Sequence, residues 1–147
     1  PAAIPEYTTA AGVRVRIIAG ASQGVAGAVQ RPDTEPLYLD IHLPAGSALF
    51  HDIPAGHNAF TYTYRGSVEV GGNVVPDRHM AILANDGAPG VHLAAAEDSR
   101  LLLVAGRPLG EPIAQYGPFV MNTAEEIQQA MRDYSAGHFA AAPVRAL

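Results

Sequence analysis

The sequence predicts a mostly β protein: a barrel or sandwich of short antiparallel strands, followed by one C-terminal helix. Three observations predict it. Short apolar/polar alternations recur at even spacing over residues 10–106. Glycine and proline are frequent, 15 and 12 of 147 residues, and they punctuate those alternations. One capped segment at helical spacing stands near the C-terminus. Nearly half the residues are hydrophobic, so a chain of this length buries a real core as one domain.

The elements follow in order. "VRVRII" puts Val13, Val15 and Ile17 on one face of a first strand. The Gly-rich "AGASQGVAGAVQRPDTEP" reads as a long loop. "LYLDIHL", Leu37 to Leu43, alternates throughout, with Tyr38, Asp40 and His42 on the polar face. "SALF" is a short strand. "HDIPAGHNAFTYTYRG" carries two histidines into a strong alternation ending at Gly66. "SVEV-GG-NVV" is a hairpin whose Gly71 and Gly72 supply the positive φ of a tight turn. "HMAILA" and "VHLAAA" are two further strands around "NDGAPG", and "RLLLVAG" is a buried one. Thr123 and Glu126 form a capping box; Ile127, Ala130, Met131 and Tyr134 make a stripe to be buried, with Gly137 closing the helix. Glu125, Glu126 and Asp133 read as a solvated face.

Composition excludes several functions. The net charge is −5 and all nine basic residues are arginine, with no basic stripe, so direct nucleic-acid binding is not expected. Without cysteine there is no disulfide, thiolate metal site or thiol nucleophile. No stretch approaches a helical membrane span. No serine sits in a nucleophile-elbow context. The arginine-only, alanine-rich composition points to a bacterial, cytoplasmic protein.

The string "EPIAQYGPFVMNTAEEI", within Gly106 to Phe139, resembles the C-terminal signature of the pirin family. "PLYLDIHLPAGS" and "YRGSVEVGG" are similar to that family's second domain, so the resemblance covers essentially the whole chain. It implies a cupin-type antiparallel β-barrel (a double-stranded β-helix, or jelly roll) with a C-terminal α-helix. Residues 1–147 would be one such domain, with the barrel over about 10–106 and the tail and helix over about 107–139. It also implies a two-barrel parent of about twice this size, of which this chain, starting at Pro1, is a fragment. Iron is then expected only in the parent's N-terminal cupin, with no cofactor in this chain. Some family members are associated with quercetin 2,3-dioxygenase activity, and the animal protein is a nuclear transcriptional cofactor.

Metal-binding cupins are similar to one another in a His-x-His, a Glu about four residues on, and a late His, which hold a metal facially. With Gly66 as the turn glycine, those positions read Asp52, Pro54, Asn58 and Ala81. Starting one residue later gives Ile53, Ala55 and Ala59; one earlier gives His51, Ile53 and His57. Strand phase chooses between them, because a one-residue slip exchanges the faces. With Asn58 inward, Phe60, Tyr62 and Tyr64 line the barrel; with His57 inward, Arg65 must be buried and paired. The first register is the expectation, with no metal ligands; His51 and His57 are then loop or rim residues, and His79, on the Ala81 face, has no carboxylate partner. Three functions remain open. The leading one is a structural or interaction domain whose partner is the N-terminal cupin or a second copy. The others are a quercetin 2,3-dioxygenase-like metal-dependent oxygenase, and a small-molecule-binding barrel that uses Phe60, Tyr62 and Tyr64.

Overall fold

A computed structural model describes residues 4–139. It divides into two compact units between Pro108 and Leu109. The first unit holds β1 (Glu6–Thr8), β2 (Arg14–Ala19), β3 (Ala21–Ser22), β4 (Val25–Ala26), β5 (Leu37–Leu43) and β6 (Ser47–Asp52). It continues with β7 (Asn58–Arg65), β8 (Val68–Val70), β9 (Asn73–Val75), β10 (His79–Ile82), β11 (Gly90–Ala95) and β12 (Ser99–Gly106). The second holds β13 (Ala114–Tyr116), β14 (Phe119–Met121) and α1 (Ala124–Ser135).

In the first unit the strands pair as two antiparallel sheets, a jelly roll. One has six strands in the order β1-β2-β5-β12-β7-β10, the other four in the order β6-β11-β8-β9. The inward faces of the two sheets form one core. Val15, Ile17, Leu39, Ile41, Leu43, Leu101 and Leu103 are fully buried from the large sheet, Val13 just before β2, and Val68 and Leu93 from the small one. The alternation read from Leu37 to Leu43 is the observed burial pattern residue for residue. Gly71 and Gly72 turn the β8–β9 hairpin at φ of 55° and 84°. The segment expected as an uninterrupted loop contains the small β3–β4 hairpin. β10 and β11 lie in different sheets, pairing with β7 and with β6 and β8.

The expected phase of β7 is corrected. Ala59, Thr61 and Thr63 face the core, while Phe60, Tyr62 and Tyr64 lie half-buried on the outer face. The reason is volume. Thr61 and Thr63 stand opposite Leu103 and Leu101, whose branched side chains fill the interior and leave room for small neighbours. The objection to this phase, a buried Arg65, does not arise. β7 ends there beside a bulge at Arg100/Leu101, and Arg65 stays 62% exposed, 3.8 Å from Asp98.

In the second unit, Thr123 and Glu126 form both hydrogen bonds of the capping box, and Gly137 follows the cap at φ 73°. Within this unit α1 contacts the β13–β14 hairpin. Only Ile127 and Ala130 of the expected stripe are buried; Met131 and Tyr134 are 40% and 67% exposed. Phe119, Tyr134 and Phe139 instead stack edge to face, with centroids 5.5–6.4 Å apart. Among the described residues no helix is long and apolar enough to cross a membrane.

Candidate functional site

His51, on the inward face of β6, and His57, just before β7, line one cavity of about 840 Å³ in the first unit. The end of β6 and the loop after it supply His51, Asp52, Ile53, Pro54 and His57. The β3–β4 turn supplies Ser22 and Gln23, and the approach to β5 supplies Arg31, Glu35, Pro36 and Leu37. His57 lies in the loop between β6 and β7, as expected, with its side chain 7% exposed, whereas His51 is a strand residue on β6, 6% exposed.

The hydrogen bonds of His51 determine its protonation. Its Nδ1 lies 2.7 Å from the Asp52 carbonyl oxygen, which can only accept, so Nδ1 carries the hydrogen. Burial lowers the His51 pKa below 6.5, against the opposing pulls of the Asp52 carbonyl and charge, and favours the neutral ring. Nε2 is then an acceptor, and Ser22 Oγ, 2.8 Å away, donates to it. Ser22 has only that one hydrogen. The 2.9 Å bond to Tyr7 is therefore donated by the tyrosine hydroxyl. Protons run in one direction, from Tyr7 to Ser22 to His51 to the Asp52 carbonyl. A hydroxyl held on a neutral imidazole is the beginning of a nucleophile–base pair. Here it leaves Ser22 Oγ presenting a lone pair.

His57 is held differently. Its Nε2 lies 3.2 Å from Glu35 Oε2, and Glu35 also pairs with Arg107. His57 Nδ1 is buried without a hydrogen-bond partner among the described residues.

These bonds bear on a metal. A ligand histidine needs one bare nitrogen; on His51 that is Nε2, and it accepts from Ser22. In the adopted phase the first three positions read His51, Ile53 and His57, and an isoleucine breaks the set. Among the described residues no three His, Cys, Asp or Glu side chains are placed to share a metal ion. The donor set does not fit the iron of a metal-binding cupin. Asn58 is exposed at the start of β7, and Ala81 packs half-buried against the core. His79 shares the Ala81 phase on edge strand β10 but is exposed, donating from Nδ1 to the Asp77 carbonyl at 2.9 Å.

Phe60, Tyr62 and Tyr64 do not line the cavity. Their face carries a polar ladder: Tyr64 donates to Asp40 at 2.6 Å, Arg16 reaches Asp40 at 3.3 Å, and His42 meets Asp98 at 2.6 Å. Tyr7, Ser22, Glu35 and Arg107 were not singled out from sequence. They meet their partners 15, 29, 22 and 72 positions away, and no local pattern marks them.

The comparisons agree with this architecture. Residues 38–140 match the model of the pirin C-terminal cupin domain. A Pseudomonas aeruginosa protein named as a candidate quercetin 2,3-dioxygenase is 46% identical over 144 residues, covering 93% of this chain and 50% of that protein. Human pirin is 39% identical over 127 residues, covering 84% and 43%. A crystal structure described as a quercetin 2,3-dioxygenase from Acinetobacter baumannii superposes with a TM-score of 0.81 at 34% identity, covering 93% of this chain and 48% of that one. The chain spans about half the length of these relatives. It belongs to the pirin family, over the stretch that forms the family's C-terminal cupin domain.

Proposed function

We propose that this chain is the metal-free half of a two-barrel, pirin-like protein, with a structural and interaction role toward an N-terminal cupin or a second copy. The observation that carries the reading is the commitment of both His51 nitrogens to Ser22 and the Asp52 carbonyl. To ligate iron through Nε2, His51 would have to surrender the hydrogen bond it accepts from the buried Ser22 hydroxyl, while its Nδ1–H stayed on the Asp52 carbonyl. The half-length coverage of the relatives supports a second domain in the parent. If the parent is an oxygenase, as the Acinetobacter baumannii structure is described to be, its metal chemistry belongs to the other half. A cytoplasmic location in a bacterium completes the reading, and the relatives include bacterial proteins.

Elemental analysis and a turnover assay test it. The purified chain alone is expected to hold no stoichiometric iron, copper or zinc and to leave quercetin uncleaved. Added N-terminal cupin of the same parent is expected to bind it. A tightly held metal lost on mutating His51 and His57, or turnover by the chain alone, would overturn the reading.

A further inference from the structure

We propose that the His51–His57 cavity is a binding site for a small, largely apolar organic molecule carrying hydroxyl or amino donors. This does not rest on the domain role above, because it follows from the hydrogen-bond inventory of the cavity. At about 840 Å³ the space is the size of a small-molecule site, and Leu37, Ile53, Pro36 and Pro54 give it apolar walls. The inner polar group on those walls with bonding capacity to spare is the Ser22 hydroxyl. Ser22 Oγ spends its one hydrogen on His51 and one lone pair on Tyr7, which leaves a second lone pair. His57 Nε2 is engaged by Glu35 and its Nδ1 is buried, so that ring adds no open group to the wall. The Gln30 amide hydrogens already go to the Gly20 and Gly27 carbonyls.

Charge does not redirect this preference. Glu35 is met by Arg107 and His57, and the exposed Arg31 and Asp52 carry opposite signs on the lining. The inner wall therefore reads donors on an uncharged skeleton. A ligand of the same shape without a donor would leave Ser22 Oγ desolvated and unpaired, which is how a polar site rejects an isostere.

The test uses 2-naphthol and its donor-less ether, 2-methoxynaphthalene, titrated into the full chain and followed by NMR. Saturable shifts at Ser22, His51 and Leu37 are expected with the naphthol, and roughly tenfold weaker binding with the ether. Ser22→Ala is expected to abolish the difference in affinity between the two ligands. If Ser22→Ala does not fold, the two ligands on the wild-type chain decide the matter alone. Equal affinities for the two ligands, no saturable binding of naphthol at millimolar concentration, or a folded Ser22→Ala chain that keeps the wild-type difference between the ligands would each overturn the proposal.

Discussion

Tyr64 donates its hydroxyl hydrogen to Asp40 at 2.6 Å, reaching across β12 on the outer face of the six-stranded sheet. The bond joins two strands that are not neighbours, and it places outside a tyrosine whose alternation had put it within. Tyr64→Phe deletes the bond and leaves Asp40 with Arg16. The acceptor is charged but only half-buried, so a loss of about 1 kcal/mol is expected from urea unfolding. The Tyr64 pKa lies above 10, through desolvation first and then the Asp40 carboxylate. Spectrophotometric titration of Tyr64→Phe should therefore lack the most alkaline tyrosine component.

The pH dependence of stability follows from His51. Its folded pKa is depressed below 6.5, so at mildly acidic pH the unfolded chain binds a proton that the folded chain refuses. The contribution is complete above pH 6.5 and is lost as pH falls through that value toward the folded pKa. Denaturant midpoints measured across this window should fall with pH, and His51→Gln should flatten the fall. An NMR titration placing the His51 inflection at or above 6.5 would contradict the assignment of its neutral tautomer. The Asp98 carboxyl is also held low, by the His42 hydrogen bond first, so its share is lost only at lower pH.

Chelation should leave the fold alone. If His51 and His57 are hydrogen-bonding residues, overnight treatment with EDTA will not change the melting temperature. A downward shift reversed by added Fe(II) or Zn(II) would show that a metal supports the fold.

The helix supplies a graded comparison. Ile127 is 6% exposed and Met131 40%, on one nominal stripe. Ile127→Asp buries a charge without a partner and should cost about 3 kcal/mol, whereas Met131→Asp should fall within about 0.5 kcal/mol of wild type. Thr123→Ala removes the cap that accepts from the Glu126 amide and should cost about 1 kcal/mol. Helical signal at 222 nm during unfolding reads all three.

The sequence by itself determined whatever neighbours along the chain decide. Seven alternating residues from Leu37 to Leu43 specify a strand with one buried face, since period two is a backbone property. Gly71 and Gly72 specify a hairpin because their φ values are open to glycine. Thr123 and Glu126 specify a helix start because both capping bonds lie within one turn. Tertiary structure decided which face of β7 turns inward. Phe60, Tyr62 and Tyr64 look like core beside Ala59, Thr61 and Thr63, until Leu101 and Leu103 have taken the volume. Folding also brought His51 of β6 and His57 of the loop before β7 to one cavity. There Tyr7, Ser22 and Glu35 meet them by folding alone, because a hydrogen bond between residues 15 to 29 positions apart leaves no periodicity in the chain.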